Sequence, residues 1–194
     1  MPTVAAFKLM QGVVYAAGLG TALVLVVLRL ISQPLPTTLA DVRTWYAVFL
    51  LAYFGQSYLA NERRARAYGW GLFFCDIGEV VLILTIFKFL GFVEVSRPDS
   101  NLRWFYVAFC GVPVLRLFWN LQVSRHIGPI NWRLPTINGT RMAILIAAAA
   151  LAPTSIPIAW LVLAGQVLLT AWYVVYKRRR GELDICEARG VPWR

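Results

Sequence analysis

Gly69–Val93 reads GWGLFFCDIGEVVLILTIFKFLGFV. The run exceeds the ~20 apolar residues with which a helix crosses a bilayer. Yet Asp76 and Glu79 stand where hydrocarbon is expected. Carboxylates inside a membrane are costly, so they face the bundle interior, take partners and mark candidate functional sites. The reading of this one stretch decides the fold class, because apolar runs of similar length recur along the chain.

Of the 194 residues, 59% are hydrophobic and only 14% charged, against roughly 25% charged in soluble domains. Most of the chain is therefore expected in lipid, and no tail or loop is long enough for a second domain. The net charge of +10 comes from short basic clusters between apolar runs. That is a topology signal, and it argues against nucleic acid as a partner. Cys75, Cys110 and Cys186 lack CxxC or metal-ligand spacing, so neither a metal nor a disulfide framework is expected. The single histidine, His126, excludes bis-histidine haem ligation within this chain. No cofactor is expected.

Outward from Gly69–Val93, the pattern predicts an all-α, polytopic integral membrane protein. Its six transmembrane helices fall at about 11–31, 45–60, 69–93, 104–122, 139–152 and 158–176, in one domain over 1–180, with a short cytoplasmic tail at 181–194. The first run, Val13–Leu28, is read as a retained span because no small-residue cleavage site follows it. Gln33-Pro34-Leu35-Pro36 ends that span and leads into a short polar loop. Asn61–Arg66 is a basic turn, and Glu94–Arg103 is a loop with a turn at Pro98. Pro113 should kink the fourth span and free the carbonyl of Phe109. Gly128-Pro129 and Pro135 break the loop Val123–Arg141, and the segment from Pro153 to Pro157 divides the last run in two.

With both termini cytoplasmic, the clusters at Arg63–Arg66, Arg125–Arg141 and Lys177–Arg180 lie inside. Only Arg29, Arg43, Lys88, Arg97 and Arg103 lie outside, and Arg116 is left within the membrane. Asn138-Gly139-Thr140 matches a glycosylation sequon, but this topology puts it on the cytoplasmic side. Gly12, Ala16 and Gly20 recur every four residues and offer a face for close helix approach, within the chain or in a homo- or hetero-oligomer.

A helical rise of about 1.5 Å per residue puts Asp76 roughly 10 Å, Glu79 roughly 15 Å and Arg116 roughly 9 Å from the inner ends of their spans. Spans three and four should be antiparallel neighbours, so Asp76 and Arg116 are expected to pair. Glu79 then has no cation and is expected as the neutral acid, poised for general acid catalysis or proton transfer. Tyr46, Phe49, Tyr53 and Gln56 share one face of span two. With Phe73, Phe109 and Asn120 they complete the expected substrate-binding set around the catalytic candidates Glu79, Asp76 and Arg116.

Arg66-Ala67-Tyr68-Gly69, the inward Glu79 and Gly128-Pro129-Ile130-Asn131-Trp132 together resemble, locally, the small integral-membrane terpene cyclases. The resemblance covers less than half of the chain. Spacings differ, that family usually has seven spans, and Gly78 stands where its aromatic residue precedes the glutamate. It implies chemistry on an isoprenoid, with Glu79 as the acid.

Three functions are compatible with these residues. One is an enzyme acting on a lipophilic substrate, with Glu79 as acid, Asp76 as its partner or base, Arg116 as orienter and aromatic faces stabilising a developing cation. Another is a channel or transporter for protons, cations or a small solute, with the same acids lining the path. The third is a non-catalytic subunit of a larger membrane complex. Hydrolase elbows, HExxH and phosphate-binding loops are absent from the sequence.

Overall fold

The computed structural model of the chain describes residues 9–60, 70–92, 102–127, 133–151 and 156–179. Among these residues the regular structure is helical throughout, with no strand. A π-helical segment, Met10–Tyr15, runs directly into α1 (Ala16–Ser32). Then follow α2 (Leu35–Ala40), α3 (Val42–Ala60), α4 (Trp70–Phe89), α5 (Leu102–Ile127), α6 (Arg133–Leu151) and α7 (Ile156–Arg179). The described parts of the six apolar runs fall mostly in helix, the first across the π-helical segment and α1.

Among the described residues, three segments are long and apolar enough to cross a membrane: Gly12–Ser32, Leu102–Leu121 and Ile156–Tyr176. Pro135–Leu151 is apolar but shorter. The outward faces are apolar as well, with Leu23, Ile31, Phe74, Val81, Leu161 and Leu168 exposed. A surface of this extent suits lipid rather than water, as in a membrane protein.

The prolines act differently from one place to the next. Gln33, forced into extended geometry (φ −124°, ψ 151°) by the proline after it, ends α1. The segment beyond, expected as a polar loop, contains α2. Pro34 is its N-cap and Pro36 falls in its first turn, where a missing N–H has no intrahelical partner to lose. The hydroxyls of Thr37 and Thr38 donate to the Pro34 carbonyl at 2.7 and 3.1 Å. Pro135 is tolerated in the first turn of α6 for the same reason, so that helix starts at Arg133, earlier than the expected residue 139. Helix α5 continues through Pro113 and on to Ile127, so much of the expected loop Val123–Arg141 is helical.

Helix α4 ends on Gly91, whose φ of 79° is the left-handed conformation that glycine adopts without strain. The Gly91 N–H donates to the Lys88 carbonyl at 2.9 Å and the Phe92 N–H to the Phe87 carbonyl at 3.1 Å, a Schellman closure. The Phe87 and Phe92 rings meet edge to face, 5.8 Å between centroids. Arg29 covers Phe92 at 4.7 Å, donates to the Gly91 carbonyl at 3.1 Å and pairs with Asp41 at 2.7 Å. The ends of α1 and α4 and the start of α3 are thereby tied together. Gly91→Ala should lower the unfolding free energy by about 1–2 kcal/mol, because a Cβ is disfavoured at this φ. Gly91→Asn should cost less, and thermal unfolding in detergent compares the two.

Helix α5 sits centrally, packing most extensively on α6 and α4, while α7 closes on α6 and α3. Its core contact with α3 is aromatic: Tyr46, Phe105, Tyr106 and Phe109 are all buried. Helix α1 lies against α3 and α4. The basic turn Arg63–Arg66, the Arg66–Gly69 and Gly128–Trp132 segments, residues 93–101, the break at Pro153–Ser155 and the tail 181–194 lie outside the described residues.

Candidate functional site

Leu72, Cys75, Asp76, Glu79, Ile83 and Ile86 are buried along one face of α4, at the three- and four-residue spacing of a helix stripe. The two acids therefore occupy the packed face. Asp76 is 1% exposed and Glu79 4%.

The cation beside them belongs to Glu79. Arg116 Nη2 donates to Glu79 Oε1 at 2.5 Å. This corrects the expected Asp76–Arg116 pair and the expectation that Glu79 stands without a cation. It also removes the premise on which Glu79 was singled out as the acid, namely that no cation lies beside it.

Packing of α4 against α5 explains the choice. A Cβ placed on Gly78 would lie 3.3 Å from Leu115, and one on Gly111 only 2.9 Å from Leu82. The helices are thus antiparallel and close, and their register sets the Arg116 backbone level with Ile77, between the two acids. Helical side chains lean toward their own N-terminus. In antiparallel helices Arg116 leans toward higher numbers on α4, while Glu79 leans back to meet it. Glutamate's extra methylene lengthens the reach further.

Tyr15 is a third contributor that the sequence reading missed. Gly18 packs on Val80 and Arg29 on the Gly91 carbonyl, so α1 runs parallel to α4 with a constant offset of 62 residues. That offset brings Tyr15, at the end of the π-helical segment, to the level of Ile77. Its ring is fully buried, and its hydroxyl lies within electrostatic reach of Glu79, Arg116 and Asp76. Insertions of the π type recur at functional sites. The available signal was a phenol inside an otherwise apolar run.

Of the expected substrate-binding residues, four come together. The Phe49 ring lies 6.1 Å from Tyr53 and 6.4 Å from Phe109. Tyr46 meets Phe105 edge-on at 4.8 Å, and its hydroxyl donates to the Ala159 carbonyl of α7 at 2.8 Å. Asn120 is half-buried one turn beyond Arg116. Phe73 instead packs with Trp70 and Phe74 near the start of α4, and Gln56 is exposed. Among the described residues nothing lies within 4 Å of a Cβ placed on Gly12 or Gly20, the close approach of α1 being made at Gly18.

The structure also relocates two residues read as cytoplasmic loop. Asn138 is buried in α6, so its sequon is closed to modification in the folded chain. Arg141 is only 6% exposed. It covers the Tyr53 ring at 4.9 Å and its Nη2 donates to Thr170 Oγ1 of α7. Among the described residues no group of three histidine, cysteine or acidic side chains is placed to hold a metal. Comparison of the chain with protein-family models, with curated proteins and with solved structures finds no match.

Proposed function

We propose that this chain is a six-span membrane protein with both ends cytoplasmic, and an enzyme that binds and turns over a lipophilic substrate beside Glu79 and Arg116. The observation that carries the reading is the burial of Asp76, Glu79 and Tyr15 around the part-buried Arg116, where three helices of apolar exterior converge. Ionisable groups held inside such helices mark functional sites. Glu79, oriented by its contact with Arg116, is the group placed to exchange a proton with the substrate or to stabilise a positive centre on it. Tyr15 is the neighbouring group with a proton to donate. The aromatic residues Phe49, Tyr53 and Phe109 supply an apolar wall with faces that attract cationic carbon.

A second reading has its own observation. The direct Glu79–Arg116 contact lies between helices already brought close at Gly78 and Gly111, as a structural clamp would. Glu79→Gln separates the two. In cells carrying the variant at normal abundance, lipid extracts should show a lipophilic metabolite accumulating or disappearing. Unchanged extracts would reject the enzyme, and lost ion or solute flux in proteoliposomes would assign the acids to a transport path.

A further inference from the structure

We propose that Arg141, with Thr170 and Gln166, forms a binding site for an oxyanion, a phosphate or carboxylate carried on an apolar tail. The inference does not rest on turnover at Glu79.

The other part-buried arginines of the described residues are matched with acids. Arg29 reaches Asp41 at 2.7 Å, Arg43 reaches the same carboxylate at 3.8 Å, and Arg116 reaches Glu79 at 2.5 Å. Arg141 is more buried as a residue than any of them, yet among the described residues no carboxylate lies within ion-pair distance of it. Its hydrogen-bond partner is the neutral Thr170 hydroxyl, which is itself committed to the Gln166 carbonyl at 2.8 Å. The Tyr53 ring face offers a quadrupole, which attracts the guanidinium but does not neutralise it. Arg141 Nε is buried with no hydrogen-bond partner. A buried guanidinium cannot shed its proton, so it calls for a counter-anion.

Gln166 supplies the independent observation. It is fully buried, and neither Oε1 nor Nε2 has a hydrogen-bond partner. Buried amides are ordinarily satisfied. Gln166 lies one turn from Thr170 on α7, so the two share a face, and the amide and the guanidinium both offer N–H donors. Such donors suit an acceptor-rich group with several oxygens, and a guanidinium fork binds phosphate and carboxylate bidentately.

The surroundings specify an amphipathic carrier. Leu161, Leu168 and Trp172 present exposed apolar surface along α7. Thr170 stands six residues before Tyr176, which stacks on Trp172 at 6.0 Å. At about 1.5 Å per residue that is roughly 9 Å along the helix, a distance a lipid head group spans from an aromatic belt at the membrane interface. The same chemistry is offered by a free anion, so the test includes both sources.

The full chain, in detergent with neutral phosphatidylcholine, is titrated separately with dioleoyl phosphatidic acid, oleate and inorganic phosphate. Thermal unfolding and native mass spectrometry report binding. The wild type should be stabilised and retain one anionic molecule. Arg141→Gln should weaken that binding at least about tenfold, the scale of losing a charge-assisted bidentate contact. Gln166→Met, which keeps volume and removes the amide, should weaken it several-fold while leaving unfolding in neutral lipid unchanged or improved. That second variant serves if Arg141→Gln fails to accumulate. Stabilisation by phosphatidic acid or oleate without inorganic phosphate assigns the oxyanion to a lipid, and stabilisation by inorganic phosphate as well assigns it to a free anion. No preference for anions over phosphatidylcholine in the wild type, or an undiminished preference in Gln166→Met and Arg141→Gln, would overturn the site.

Discussion

Arg116→Ala should be the most damaging single substitution in this chain, lowering the unfolding free energy by about 3–5 kcal/mol. Its guanidinium lies within 2.5 Å of Glu79, with both side chains largely removed from the surface. Removing the cation leaves a buried carboxylate between apolar helices, with no other positive group among the described residues at ion-pair distance. The loss comes from the group left behind rather than from the contact as such. Glu79→Gln should therefore cost less than Arg116→Ala, since the amide oxygen still accepts from Arg116. Replacing both partners together, as Glu79→Gln with Arg116→Met, should recover much of the loss, because a buried ion pair barely outperforms a well-packed neutral pair. Reversible unfolding in mixed micelles gives all three values.

The next largest effect is expected at Gly111. A Cβ there would lie 2.9 Å from both terminal methyls of Leu82. Gly111→Val adds two further carbons to a contact already too short, and overpacking of this kind costs about 1–3 kcal/mol. The damage should extend to the site, because widening the α4–α5 spacing separates Glu79 from Arg116. Leu82→Ala in the same chain opens the space again and should restore part of the stability. Equal loss in Gly111→Val with and without Leu82→Ala would show that the two residues do not limit the approach.

How much of this could be read from sequence follows from what each signal encodes. Apolar length gives a helix its existence, so the described parts of the six runs are mostly helical. Proline gives a helix its end only when it falls beyond the first turn, which is why Pro34 and Pro36 concealed α2 and Pro135 concealed the start of α6. The level of the polar site was also legible, because rise per residue brings Asp76, Glu79 and Arg116 to similar heights. The identity of the paired acid was not. Asp76 and Glu79 differ by less than one turn, and the choice depends on register at Gly78 and Gly111 and on the opposite lean of side chains in antiparallel helices. Tyr15 became visible only through the offset between α1 and α4. Arg141 was hidden by the habit of basic residues to mark loops: a span judged to start near residue 139 leaves it at the membrane edge, whereas a helix that starts at Arg133 carries it two turns inward.

The pairing itself is tested most directly by two double-mutant cycles on unfolding free energy, one combining Arg116→Ala with Glu79→Gln, the other combining it with Asp76→Asn. A coupling of about 2–3 kcal/mol, near the upper end for contacting residues, is expected in the first cycle and a clearly smaller one in the second. A coupling at Glu79 within about 0.5 kcal/mol of zero, or a larger one at Asp76, would contradict the pairing.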